Sequence, residues 1–208
     1  MRGLEIETIP VGPFAANCYL VTFTGSESIA VVDPGAEPAR LLEHIRRRRR
    51  PVAAYLLTHG HVDHLSALPE LLRHYPAPAF LHPEDAAWAC RPGNRIDPWY
   101  PPVRLDPETL EPWDPARLPE EWSFIRILHT PGHSPGSVCL LAGEVLFSGD
   151  TLFQGSVGRT DLPHGDARRL EESLRRLAAL DPEIRVLPGH GPATTIARER
   201  ESGFLAGL

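Results

Sequence analysis

Seven consecutive residues, Thr58-His59-Gly60-His61-Val62-Asp63-His64, constrain the fold of this chain more than any other stretch. They place three histidines and an aspartate within six positions, directly after the apolar run Ala53-Ala54-Tyr55-Leu56-Leu57. Such a run reads as a buried strand. At its extended end, side chains two apart point the same way, so His59 and His61 can converge on one ion. Gly60 between them leaves the backbone unobstructed. Asp63 and His64 then open a helical pattern, and the turn of the chain aims them at a second ion nearby. Imidazole and carboxylate donors together suit zinc, iron or manganese rather than calcium.

Residues 4–9 alternate apolar and polar positions, as in a half-buried strand, while 17–23 and 28–32 form a predicted hairpin turning at Gly25. A helix is expected over 38–49, with Leu41, Leu42 and Ile45 inward, and another over 63–74, with Leu65, Leu68, Leu71 and Leu72 inward. A short strand at 79–81 and a short helix over 83–90, opened by Pro83, come next. The proline-rich connection 91–121 is long enough to be functional or a decorated insertion. It either walls a substrate pocket or packs its own aromatics, and Trp99, Tyr100 and Trp113 are expected to be partly exposed. Strands follow at 123–128, 137–141 and 144–147, then a helix over 166–180, a strand at 184–187 and a closing helix over 195–208. Two halves of similar make-up predict an α/β (α+β) architecture, an αββα four-layer sandwich in one domain spanning 1–208.

Composition removes several function classes. Apolar residues make up 42% and charged residues 23%, as in soluble globular proteins. No apolar run approaches the ~20 residues that span a bilayer, so no membrane partner is expected. The first five residues lack the apolar core of a secretion signal. Cys18, Cys90 and Cys139 are odd in number and widely spaced, which fits a reduced compartment and predicts a cytoplasmic location. A net charge of -6 argues against a nucleic-acid partner. All 21 basic residues are arginine, so neither a lysine Schiff base nor a lysine general base is possible. Arg46 to Arg50 close the first helix. With no aromatics interleaved, they read as a solvated helix end that complements the C-terminal dipole.

Further candidate donors stand at the ends of later strands: His133, Asp150 and His190. Strand ends gather at one sheet edge, so these three can meet His59, His61, Asp63 and His64. Each has a neighbouring glycine, whose tight turn frees the side chain to enter a cleft. Together with Asp33 in Val32-Asp33-Pro34-Gly35, this order of motifs resembles the metallo-β-lactamase superfamily. The resemblance implies that His59, His61 and His133 hold one divalent metal and that Asp63, His64 and His190 hold a second. It makes Asp150 the bridge and Asp33 a support for the histidine loop. Asn17-Cys18-Tyr19, Thr130-Pro131-Gly132-His133-Ser134-Pro135-Gly136-Ser137, Phe147-Ser148-Gly149-Asp150-Thr151-Leu152-Phe153, Gly158-Arg159-Thr160-Asp161 and Pro188-Gly189-His190-Gly191-Pro192 are similar to short glyoxalase II-like (hydroxyacylglutathione hydrolase-like) enzymes. Full-length glyoxalase II adds a helical domain after its last histidine. With 18 residues following His190, that domain is expected to be absent here.

The resemblance implies hydrolysis of a small-molecule thioester, such as an acyl-glutathione, by hydroxide generated at two ions. Zinc is the first expectation, and iron or an iron–zinc pair the next. Asp63 and Asp150 would be the catalytic carboxylates that orient the hydroxide. An aspartate at the bridging position argues against antibiotic hydrolysis. A second expectation, of another class, is a persulfide dioxygenase with one non-haem iron on His59, His133 and Asp150. A metal-dependent phosphodiesterase comes third. Arg159 is expected either to pair with Asp161 or Asp166 or to bind an anion. Cys18, Cys90 and Cys139 are expected to behave as small apolar residues, with reactivity of Cys90, beside Arg91, as the alternative. His44, His74, His82, His129 and His164 are expected to be structural or surface residues.

Overall fold

The computed structural model describes residues 3–202 and 204–205. The first half builds a six-stranded sheet in the order β1-β2-β3-β4-β5-β6. Its strands are β1 (Leu4–Val11), β2 (Ala16–Phe23), β3 (Ile29–Val32), β4 (Val52–Leu56), β5 (Ala79–Leu81) and β6 (Leu110–Pro112). β1 to β3 are antiparallel neighbours, and β3 to β6 run parallel. Helices α1 (Pro38–Arg48), α2 (Val62–Leu65), α3 (Leu68–His74) and α4 (Pro83–Ala89) are interleaved with these strands. The second sheet has the order β13-β12-β9-β8-β7. It comprises β7 (Arg126–His129), β8 (Val138–Ala142), β9 (Val145–Gly149), β12 (Arg185–Pro188) and β13 (Thr194–Thr195). A small hairpin of β10 (Leu152–Phe153) and β11 (Ser156–Val157) follows β9, and α5 (Ala167–Ala178) and α6 (Ile196–Ser202) belong to this half.

The period-two alternation of strand side chains divides the core into three layers. On β2, every position is buried, because both faces are covered. Cys18 and Leu20 join Leu41, Ile45, Leu65 and Leu71 under the first set of helices. Tyr19, Val21 and Phe23 point the other way and meet Leu140, Phe147 and Leu187 between the sheets. On β8, Leu140 faces that middle layer while Cys139 and Leu141 face Leu170, Leu174 and Leu177 of α5. The result is the expected αββα sandwich. Asp166 caps α5 by accepting from the N–H groups of Arg168 and Arg169 at 2.9 and 3.0 Å.

Three local expectations are corrected. The helix expected over 63–74 breaks into α2 and α3 at Ser66 and Ala67. Pro69 explains the break, since its ring clashes with the carbonyl four residues earlier and it has no N–H to donate. The connection 91–121 contains β6 and three 3-10 turns. Within it Tyr100 is 2% exposed and so buried against expectation, whereas Trp113, stacked on Phe80 at 5.4 Å, is half-buried and Trp99 is open at 55%, as expected. Trp122, just beyond, is fully buried in the middle layer. The closing helix ends at Ser202, and 203 and 206–208 lie outside the described residues. The arginine-rich end of α1 follows the solvated reading. Arg47 pairs with Glu43 and Arg48 with Glu7.

Candidate metal centre

β3 and β4 run parallel, as do β9 and β12, so their C-terminal ends lie at common sheet edges. Asp33 directly follows β3, the histidine loop follows β4, Asp150 follows β9 and His190 follows β12. Two glycines permit the close approach. Gly149 adopts a left-handed φ of 48°, which a side chain would strain. A Cβ at Gly189 would collide with Asp150 Oδ1 and lie 2.8 Å from His64 Cε1.

Most of the histidines are held from behind. His133 Nδ1 donates to the Arg159 carbonyl at 2.8 Å, and His190 Nδ1 donates to the Phe14 carbonyl at 2.9 Å. His64 Nδ1 lies 3.1 Å from Asp33 Oδ2, and His59 Nδ1 lies 3.1 Å from Thr58 Oγ1. These contacts fix the tautomers and leave the Nε2 lone pairs facing inward. There His133 Nε2 is 2.8 Å from His61 Nδ1, and His64 Nε2 is 3.2 Å from His190 Nε2.

Two groups of three donors result, His59/His61/His133 and Asp63/His64/His190, each with its donor atoms within 4.8 Å of one another. Asp150 lies between them. Its Oδ2 is 3.5 Å from His133 Nε2 and 3.6 Å from His190 Nε2, and its Oδ1 is 3.4 Å from His64 Nε2. The donor set fits cations of the zinc or iron type. His59 Nε2 and Asp150 Oδ1 are buried without a hydrogen-bond partner, and converging imidazole lone pairs cannot satisfy one another. Asp33, His59 and His64 also fall close together. However, Asp33 already accepts from Thr58 N at 2.8 Å and Thr58 Oγ1 at 2.6 Å as well as facing His64, so it orients rather than ligates.

The two groups differ electrostatically. Burial and neighbouring histidines push His59 far down, and burial with His133 pushes His61 down to about 3. Burial would also depress His64, but Asp150, Asp63 and Asp33 outweigh it and raise His64 to about 10. Burial opposes ionisation of Asp63, yet His64 and His190 hold its carboxyl below the usual carboxylate range. The first group therefore presents neutral nitrogens, whereas the carboxylates around the second favour positive charge there, on His64 and His190 themselves.

Two supports stand behind the ligands: Asp85, which no motif in the sequence marks, and the Asn17-Cys18-Tyr19 stretch, whose role the motif alone does not show. Asp85 on α4 is 0% exposed. It accepts from Gly60 N at 2.8 Å, Gly136 N at 2.7 Å and Ser134 Oγ at 2.6 Å, tying the His61 loop to the His133 loop. Asn17 donates to the carbonyls of Pro188 and Gly191 at 3.0 and 2.9 Å, and Tyr19 Oη donates to Pro188 at 2.6 Å, so β2 grips the His190 turn.

The other expected residues fall elsewhere. Arg159 makes a two-pronged pair with Asp161 at 2.7 Å. His129 stacks on His82 at 4.3 Å and bonds to the Pro135 carbonyl at 2.9 Å. His44 pairs with Glu7 and His74 with Glu70. His164, expected at the surface, is exposed but stacks on Trp88 and lines the cavity above the centre. Cys90 is no activated thiol: burial raises its pKa. That cavity measures about 1080 Å³, with His61, Asp63, His133, Asp150 and His190 on its wall. Among the described residues no helix is long and apolar enough to cross a membrane.

Fold and site together define a metal-binding enzyme of the αββα class. The chain belongs to the metallo-beta-lactamase superfamily, whose family model it matches over residues 11–190. It is 35% identical to hydroxyacylglutathione hydrolase GloC of Haemophilus influenzae, covering 96% of each chain, which supports the glyoxalase II-like branch. Among solved structures, BLEG-1 B3 metallo-beta-lactamase superposes with a TM-score of 0.87 at 33% identity, covering 98% of this chain and 100% of that one. The di-iron-bound form of TTHA1623 superposes with a TM-score of 0.81 at 36% identity, covering 94% and 98%.

Proposed function

We propose that this chain is a thioester hydrolase acting on an acyl group carried by a small thiol such as glutathione, with two divalent ions, zinc first. The observation that carries this reading is the division of six donors into two groups of three with Asp150 between them, on the wall of a large cavity. His59, His61 and His133 would hold one ion, and Asp63, His64 and His190 the other, with Asp150 reaching both. When bound, such a pair polarises the substrate carbonyl and lowers the pKa of water from ~15.7 to ~7.

The chain's own groups supply the rest. Asp63 and Asp150 accept hydrogen bonds from the attacking water and orient it toward the carbonyl carbon. Trp88 and Phe153 on the cavity wall exclude bulk water from the reacting bond. No side-chain nucleophile is needed, and burial pushes the thiols of Cys18 and Cys139 up, away from reactivity. In this reading the chain works as one domain in a reduced, cytoplasmic compartment, without nucleic acid.

The GloC relative supports the thioester reading, and the di-iron neighbour supports a two-ion site while keeping iron in play. A single iron on His59, His133 and Asp150 would leave the second converging group, Asp63, His64 and His190, without a use as ligands, which favours the hydrolase over the oxygenase. The likeness to BLEG-1 gives β-lactam hydrolysis a specific claim as second reading.

The test is metal analysis of protein purified without added metal, followed by assays with S-lactoylglutathione, glutathione persulfide and a chromogenic cephalosporin. Two ions per chain and thioester turnover are expected. Asp150→Ala should abolish turnover with the fold retained, and full activity in that variant with intact metal content would falsify the assignment. One iron per chain with oxygen uptake would instead make the protein a dioxygenase. Cephalosporin turnover without thioester turnover would make it a β-lactamase.

A further inference from the structure

Three arginines line the cavity above the metal centre: Arg91, Arg95 and Arg159. The same lining holds three carboxylates, Asp63 and Asp150 at the metal centre and Glu84 on the wall, so what distinguishes the arginines is which of them is already paired. The three are not equivalent. Arg159 is committed through both prongs of its fork to Asp161, each at 2.7 Å. Arg95 makes one contact with Asp97, at 3.2 Å. Arg91 has no carboxylate within ion-pair distance among the described residues. Glu84, the acid on the same wall, lies 3.9 Å from Arg169.

The backbone beneath these arginines is fixed relative to the metal ligands. Arg91 N donates to the Trp88 carbonyl and Asn94 N to the Arg91 carbonyl, each at 2.9 Å, so 88–94 is a closed turn at the end of α4. The Asn94 side-chain amide then donates to the carbonyl of Gly60 at 2.8 Å and of Ala89 at 2.7 Å. Gly60 lies between His59 and His61. One side chain therefore bolts the arginine turn to the loop that carries the first metal group. Trp88 and Ile96 supply apolar surface on the same wall. A cavity of about 1080 Å³ is slightly above the ~300–1,000 Å³ typical of ligand pockets, so it holds much more than a reacting acyl group.

We propose that the turn bearing Arg91 and Arg95 is the receptor for an oxyanion on the substrate's thiol carrier, with Arg91 the principal contact. The scissile bond would lie over the metal centre and the carrier's carboxylate or phosphate on the guanidinium fork, which suits both anions. Arg91 and Arg95 are specificity residues here, remote from the bond that breaks. The inference rests on the thioester reading for the bond cleaved, while the anion site itself rests on the arginine turn.

Calorimetric titration of the zinc-loaded protein tests it with three unreactive thioethers: S-methylglutathione, its diethyl ester and S-methyl-coenzyme A. Arg91→Ala and Arg95→Ala are compared with wild type and with Arg126→Ala on β7. Arg91→Ala should weaken an anionic ligand about tenfold or more, and the diethyl ester less than about twofold. Arg126→Ala should change neither. With S-lactoylglutathione, KM should rise in parallel while kcat holds. Tight, Arg91-dependent binding of the coenzyme A thioether alone would make the anion a phosphate, and of S-methylglutathione alone a carboxylate. Equal losses for charged and esterified ligands, or no loss in Arg91→Ala, would overturn the proposal. Arg91-dependent anion binding in a protein that turns over no thioester would leave the receptor standing and overturn the hydrolase reading instead.

Discussion

At the scale of single residues, the decisive side chains divide into those that face the ions and those that aim them. Asp85 belongs to the second kind. Removing its carboxylate leaves the Gly60 and Gly136 N–H groups buried without an acceptor, each costing about 1–3 kcal/mol, while the Ser134 hydroxyl keeps Ser137 Oγ at 2.7 Å. Asp85→Ala should therefore lower the unfolding free energy by about 3 kcal/mol or more and reduce metal content, read by urea unfolding and metal analysis. Asp85→Asn should lose less, because its amide oxygen still accepts. Wild-type stability and metal content in Asp85→Ala would contradict the role. The seven donors were legible in the sequence because four crowd into the single loop 59–64 and the other three, His133, Asp150 and His190, each stand beside a glycine near a strand end. Asp85 was not, because its partners lie 25, 49 and 51 positions away and nothing local marks it. Asn94 was hidden for the same reason, with the Gly60 carbonyl 34 positions away.

At the scale of elements, strands with long alternating or fully apolar runs were readable, and the shortest ones were not. β10, β11 and β13 have two residues each, too few for a period-two pattern, and they are defined only by pairing, β10 with β11 and β13 with β12. The broken helix shows the opposite failure. Its apolar spacing continues through Pro69, so periodicity alone reads across a break that backbone sterics impose. One contact between elements has a pH signature. On β1, Glu7 meets His44 at 2.7 Å and also pairs with Arg48, both on α1. Burial alone would raise Glu7, but the hydrogen bonds from Arg48 and His44, with the Arg48 charge, outweigh it and hold its carboxyl below its ordinary value of 4.5. A carboxylate depressed in this way stabilises the fold above its unfolded value, and the contribution is lost as pH falls through the folded value. Glu7→Gln should cost roughly 0.5 kcal/mol at neutral pH, a partly exposed pair being screened by solvent. The deficit should shrink as the pH drops below 4.5, as measured by thermal melts across an acid series. A deficit that stays constant with pH would assign the loss to packing rather than charge.

At the scale of the whole molecule, the centre joins the two sheets. His59, His61, Asp63 and His64 come from the first half, and His133, Asp150 and His190 from the second, so each donor group draws on both. Ions that bind this arrangement and not the unfolded chain stabilise it by about 4 kcal/mol when free metal is 1,000 times its dissociation constant. For a chain of this size that is roughly 10 °C in melting temperature. Chelation should lower the calorimetric midpoint by that order, and added zinc should restore it. An unchanged midpoint after verified metal loss would show that the sheets hold together without the centre. The clasp between the first and last parts of the site has a consequence for timing. Ala16 bridges His190, and Asn17 N donates to the Gly189 carbonyl at 2.7 Å. During synthesis the first donor group is complete once His133 has left the ribosome. The second waits for His190 to emerge and dock against β2, which has been in place since the start. The second donor group can therefore close only after the first, once the His190 turn has docked on β2.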